Sequence, residues 1–175
     1  LWLDGRSIPS AIDEILPRTA AISAPPLIGP FPGNDPTDIW GRSDGTVEWG
    51  IHAGRAGSVD LGSDPIFGLA VGNIDPTPGN ELVILTETGR LFLIDARSLS
   101  SEIAAFTDRP VGAPVLADLD RDGDDEIVLV TPDGTLAILN ADGLAAQSPP
   151  VPGGAASAPV LGDLDGDGFV EAIFG

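Results

Sequence analysis

Apolar residues in this chain fall in short runs, and Gly, Pro, Asp and Asn punctuate them. The clearest stretch predicts a strand over 115–118, a polar loop, a strand over 127–131, a Pro132-Asp133-Gly134 turn and a strand over 135–140. Asp-Gly supplies the positive φ that a tight hairpin needs. A fourth strand is predicted over 102–106, at the end of the preceding unit. The runs are too short and too β-branched for helices.

The pattern repeats. Acidic residues opening an apolar run occur at Asp38, Glu81, Glu126 and Glu171, at intervals of 43, 45 and 45 residues. Turn glycines follow at Gly45, Gly89 and Gly134, at intervals of 44 and 45. Units of about 45 residues with four short strands have the dimensions of a propeller blade. The expected fold is therefore all-β, with four-stranded antiparallel blades at 24–66, 67–110 and 111–155 and a partial one at 156–175, about three and a half blades in all. A sandwich of repeated hairpins is the alternative, and a strict period argues against it. Residues 1–23 do not follow the repeat; Leu1 to Leu3 are expected to add a strand to a blade, and Ile8 to Leu16 to include a helical turn.

Charge changes the picture. The 175 residues carry a formal net charge of −19; the eight basic residues are all Arg, and Cys is absent. Such a chain repels nucleic acid and anionic lipid. It has no disulfide framework and no thiolate metal site. No apolar stretch is long enough to insert across a membrane as a helix. The chain lacks an initiator Met and stops inside a repeat, so it is expected to be a piece of something longer, its remaining blades supplied by the same or another chain.

The acidic residues cluster. In Asp118-Leu-Asp120-Arg-Asp122-Gly-Asp124-Asp-Glu126, carboxylates stand at loop positions 1, 3, 5 and 9, and Gly123 permits a sharp reversal at position 6. Alternate spacing lets Asp118, Asp120 and Asp122 converge, Asp124 offers its backbone carbonyl, and Glu126 closes the shell. Asp163, Asp165, Asp167, Phe169 (by its carbonyl) and Glu171 repeat those roles in order. Two carboxylates about 4.5 Å apart repel by roughly 1 kcal/mol in water and about 4 at an effective dielectric near 20, so a cation among them is expected. Hard oxygen donors in this number suit Ca²⁺. An EF-hand requires its last Glu at position 12, where this chain has Leu129 and Phe174, both expected in strands. A plain polar turn is the competing reading of either loop taken alone. Asn73, Asp75, Thr77 and Glu81 keep oxygens at the same positions but lack Gly at position 6, and form a weaker third candidate. The 30–38 stretch has lost its first carboxylates and is read as a metal-free turn.

These units resemble the FG-GAP/VCBS repeats of calcium-binding propellers like the N-terminal region of integrin α-subunits, which also occur in many secreted bacterial proteins. The matching residues are Phe67-Gly68, Gly112-Ala113-Pro114, the two Asp-x-Asp-x-Asp-Gly-x-x-Glu loops and Phe174-Gly175. The resemblance implies structural rather than catalytic Ca²⁺, a secreted or cell-surface location, and a role in adhesion, scaffolding or binding of a protein or glycan. His52, the single histidine, offers no catalytic constellation, so no enzyme is expected; a part of a propeller-fold polysaccharide-degrading enzyme is the alternative. Trp2, Trp40 and Trp49 are expected to pack within blades more readily than to stack on sugars.

Overall fold

A computed structural model describes residues 2–3, 6–7, 20–32, 36–50, 56–95 and 100–175. Every regular element among them is a strand. Two short strands, β1 (Trp2–Leu3) and β2 (Arg6–Ser7), pair with each other. The helical turn expected near 8–16 and His52 lie outside the described residues.

Three four-stranded antiparallel sheets follow. The first comprises β3 (Leu27–Pro30), β4 (Pro36–Gly41), β5 (Thr46–Gly50) and β6 (Ala56–Asp60). The second comprises β7 (Ile66–Gly72), β8 (Glu81–Thr86), β9 (Arg90–Ile94) and β10 (Ser100–Ala105). The third comprises β11 (Val115–Ala117), β12 (Glu126–Val130), β13 (Leu136–Asn140) and β14 (Gly143–Gln147). A final pair, β15 (Val160–Gly162) and β16 (Glu171–Ile173), repeats the opening of a sheet. In each sheet consecutive strands are neighbours. The strands expected over 102–106, 115–118, 127–131 and 135–140 are therefore present, shifted by a residue or two. Phe174, expected in a strand, directly follows β16.

The sheets stand in a row, their first strands β3, β7, β11 and β15 meeting in succession. Every residue of β8 is buried. Period-2 alternation explains this, because the two sides of one strand serve two cores. Leu82 and Ile84, with Phe92 and Ile94 of β9, pack against Phe31, Ile39, Val47 and Trp49. Val83 and Leu85, with Leu91 and Leu93, pack against Ile127, Leu129, Ala137 and Leu139. Trp49 is thus a core residue, its ring edge-on to Phe31 at a centroid distance of 5.2 Å; Trp40 is half-buried.

Close approach at the first strands and just before them demands small residues. A Cβ on Gly68 would lie 2.8 Å from the Ala113 Cα, and one on Gly112 would lie 2.2 Å from the Ala158 Cβ. Away from that line the junctions are filled by Phe, Ile and Leu. At the two ends of the row, apolar side chains stand free: Ile28 is 71 % exposed and Val160 is 70 % exposed. The row is open, and its four-stranded antiparallel sheets are those of propeller blades.

Candidate metal centre

The loop between the first and second strands of a sheet is the same device three times. Asn73, Asp118 and Asp163 each follow the last residue of a first strand, and Glu81, Glu126 and Glu171 each begin the second. In all three the closing Glu folds back over its loop. The backbone N–H of Ile74, of Leu119 and of Leu164 each donates to the Oε2 of that Glu, at 2.8 Å every time.

Within loops 118–126 and 163–171 a second set of contacts coils the chain inward. Gly123 N–H donates to Asp118 Oδ2 at 3.2 Å, and Gly168 N–H donates to Asp163 Oδ2 at 2.9 Å. Both glycines have positive φ, 101° and 86°, and the N–H would not reach position 1 without that reversal. Asp122 N–H donates to Asp120 Oδ1, and Asp167 N–H to Asp165 Oδ1. Asp124 N–H and Phe169 N–H cap Asp122 and Asp167 in the same way.

The result gathers carboxylates. Asp118, Asp120 and Asp122 bring ligand oxygens within 4.8 Å of one another, and so do Asp163, Asp165 and Glu171. Asp118 Oδ1, in the first group, is buried with no hydrogen-bond partner among the described residues. Burial pushes the Glu126 carboxyl above its ordinary value; the Leu119 N–H opposes this, and the charges of Asp120, Asp122 and Asp118 reinforce it. Hence four acidic groups in one loop repel, and the repulsion is relieved by a proton or by a metal ion. The donor set is all oxygen, which fits a hard cation. Asp120, Asp122, Asp124 and Glu126 also line a cavity of about 170 Å³, shared with Asp75 from the second sheet and Asp142 from the β13–β14 turn.

Loop 73–81 has the same frame with different contents. Asn73 turns away from its own loop: its Nδ2 donates to Gly123 O at 2.9 Å and to Asp124 Oδ1 at 2.8 Å. Asp75 Oδ1 accepts from both Thr77 N–H and Thr77 Oγ1. Glu81 is completely buried, and burial raises its carboxyl above the ordinary value, with Asp75 and Asp95 adding to the effect against the Ile74 N–H. Its Oε1 has no hydrogen-bond partner among the described residues. The two clusters of three carboxylates among the described residues are those of the later loops. In the first sheet β4 begins at Pro36, so Asp38 lies inside the strand opposite Ile28 and does not open it.

Two contributors escaped the reading of residues. Asp125 binds the second sheet, its N–H donating to Asn73 O and its Oδ2 accepting from Asn73 N–H. Arg121 holds φ at 66°, a left-handed conformation costing a side-chain-bearing residue about 1 kcal/mol. Neither signal lies in the loop's own sequence, because each concerns a neighbouring sheet or a backbone angle.

A row of four-stranded meanders whose first turns bear acidic metal-type loops defines a β-propeller-type repeat module. Within it, residues 118–174 match the family described as an FG-GAP-like repeat, which takes in both acidic clusters. No curated protein matches the chain.

Proposed function

We propose that this chain is a calcium-stabilised propeller module that works outside the cell, as a scaffold that presents its surface to a protein or glycan partner. The observation that carries the calcium reading is the pair of three-carboxylate clusters in equivalent turns, one of them holding the buried, unpartnered Asp118 Oδ1. Asp118, Asp120, Asp122 and Glu126 would hold one ion, and Asp163, Asp165, Asp167 and Glu171 the other, with the carbonyls of Asp124 and Phe169. The ion supplies positive charge where the fold has concentrated negative charge. The chain's own residues position it: Gly123 and Gly168 turn the loop, and each closing Glu ties the ion to the start of a second strand. A structural role agrees with loops that brace a sheet and with acidic groups already engaged by backbone amides. The extracellular and partner-binding parts of the reading rest on the repeat family and on the charge of −19, which disfavours nucleic acid and anionic membranes.

Thermal unfolding in EDTA and in about 1 mM Ca²⁺ tests the proposal. A site with a dissociation constant near 10 μM would add about 2.7 kcal/mol under those conditions. Coincident melting curves would overturn the calcium reading. A glycan array and a pull-down with the calcium-loaded chain test the partner class.

A further inference from the structure

Loops 118–126 and 163–171 meet through one side chain. Arg121 occupies position 4 of its loop with φ at 66°, where the equivalent residue of the next loop is Gly166 with φ at 81°. Glycine adopts that conformation without strain, so the arginine is held there against a cost. Its guanidinium spans to the following loop. It lies over the Phe169 ring, 4.2 Å from the centroid, and a Cβ on Gly168 would come within 2.8 Å of its Nη2.

Both ends of this bridge are tied to carboxylates. On its own loop, Arg121 sits between Asp120 and Asp122, two members of the first cluster, which are joined by the Asp122 N–H donating to Asp120 Oδ1 at 3.2 Å. On the next loop, the residues beneath the guanidinium are those whose amides bind the second set: Gly168 N–H donates to Asp163 Oδ2 at 2.9 Å, and Phe169 N–H donates to Asp167 Oδ1 at 2.8 Å. Residue 121 is thus flanked by two members of the first cluster, and its guanidinium lies against the two residues whose amides bind the second.

We propose that Arg121 couples the two metal sites, so that calcium in loop 118–126 strengthens calcium binding in loop 163–171. This rests on the calcium reading above. An ion among Asp118, Asp120 and Asp122 fixes the backbone on either side of Arg121 and aims its side chain. Residues 168 and 169 are then ordered before the second ion arrives, and the second site no longer bears that ordering cost. Repulsion between the two ions works the other way, but residues 120–123 and 163–169 are exposed and water screens it. By reciprocity, the second ion strengthens the first to the same degree.

The test uses the full chain, calcium alone as the probe, and two readouts: calorimetric titration, and the amide resonances of Gly166 and Gly168. Asp120→Ala cripples the first site. With Arg121 present, it weakens calcium binding at 163–171 by roughly fivefold or more, the usual lower range of a coupling between sites. With Arg121→Gly, which removes the side chain and suits the backbone angle, Asp120→Ala leaves the second site unchanged. Phe169→Leu, which keeps the carbonyl but removes the ring, behaves like Arg121→Gly. A comparison that needs no crippled site is the two-ion isotherm, cooperative in the unmodified chain and independent in Arg121→Gly. Calcium uptake at two independent sites in the unmodified chain, or an undiminished Asp120→Ala effect without Arg121, overturns the coupling and leaves the calcium reading intact. No calcium uptake by the unmodified chain overturns both.

Discussion

Loop 73–81 and loop 118–126 share a frame and differ in what fills it. Both run from the end of a first strand to a Glu that opens the second, and in both that Glu accepts the N–H of the residue at loop position 2 at 2.8 Å. In loop 118–126 Asp118, Asp120 and Asp122 bring their carboxylates together. In loop 73–81 a threonine donates to Asp75, Asn73 donates to the next sheet, and Glu81 is sealed from water. The frame therefore does not depend on the charges. A backbone amide bonded to the closing Glu is common to both turns, and the carboxylates of the second are an added layer. Both loops are held by hydrogen bonds from backbone amides, and the second adds a cluster of three carboxylates to that frame.

The contrast breaks most readily at the closing Glu. Glu81→Ala removes a fully buried side chain and leaves the Ile74 N–H without its acceptor, so it is expected to cost about 3 kcal/mol, with or without calcium. Glu126→Ala is expected to cost less in EDTA than in calcium, since its carboxylate neighbours repel it when no ion is present. Urea unfolding of both variants in the two conditions measures the difference. A Glu81→Ala loss that vanishes in EDTA would show that loop 73–81 is also held by a metal.

A smaller effect separates Asp75 from Asp120, which hold the same loop position. Asp75→Ala loses an acceptor for two donors of Thr77 and is expected to cost about 1 kcal/mol regardless of calcium. Asp120→Ala removes repulsion in EDTA and is expected to be neutral or mildly stabilising there, with a loss only when calcium is present. Equal losses in both conditions for Asp120→Ala would mean that its hydrogen bond to Asp122 N–H matters more than its charge.

The smallest expected effect is the response to pH without calcium. Glu81 and Glu126 have carboxyl groups raised by burial, so the folded chain binds their protons more tightly than the unfolded chain does. Their contribution to stability is full below the ordinary glutamate range and is lost as pH rises through the raised folded values. In EDTA the melting temperature should therefore climb as pH falls from neutrality toward that range. Glu102, lowered by the side-chain hydrogen bond from Arg90, and Asp133, lowered by that from Thr131, act in the opposite sense, and their loss begins only at lower pH. Calcium requires the deprotonated form, so it should flatten or reverse the slope. A falling melting temperature in EDTA over the same interval would contradict the burial of these two groups.

Much of this architecture was legible from residues alone. The apolar runs at 82–85 and 127–130 announce strands, and Glu81, Glu126 and Glu171 mark where they begin, because a 45-residue period leaves little freedom in where sheets start. Asp38 fitted that period less well, at 43, since the first sheet joins β3 to β4 by a shorter turn and places Asp38 inside the strand. The two-sided burial of β8 was hidden, because an unbroken apolar run reads the same whether one core or two receives it. Asn73 was legible as an oxygen at loop position 1 but not as a donor to Asp124, since the partner lies 51 residues away in another sheet. Arg121 was invisible for a related reason: a residue type does not disclose its φ.

The glycines where first strands meet have a geometric consequence. At Gly68 the backbones of the second and third sheets approach closely, while farther out Leu85, Leu91, Leu129 and Leu139 fill the space between the same two sheets. Each junction is therefore a wedge, thin along one line and thick along the other. Stacking wedges turns a row into an arc, and the angle added by each repeat is set by the difference between those two thicknesses. The angle between the second and third sheets is thus set by side-chain volume: enlarging Gly68, or shrinking Leu91 or Leu139, would flatten that junction rather than merely loosen a contact.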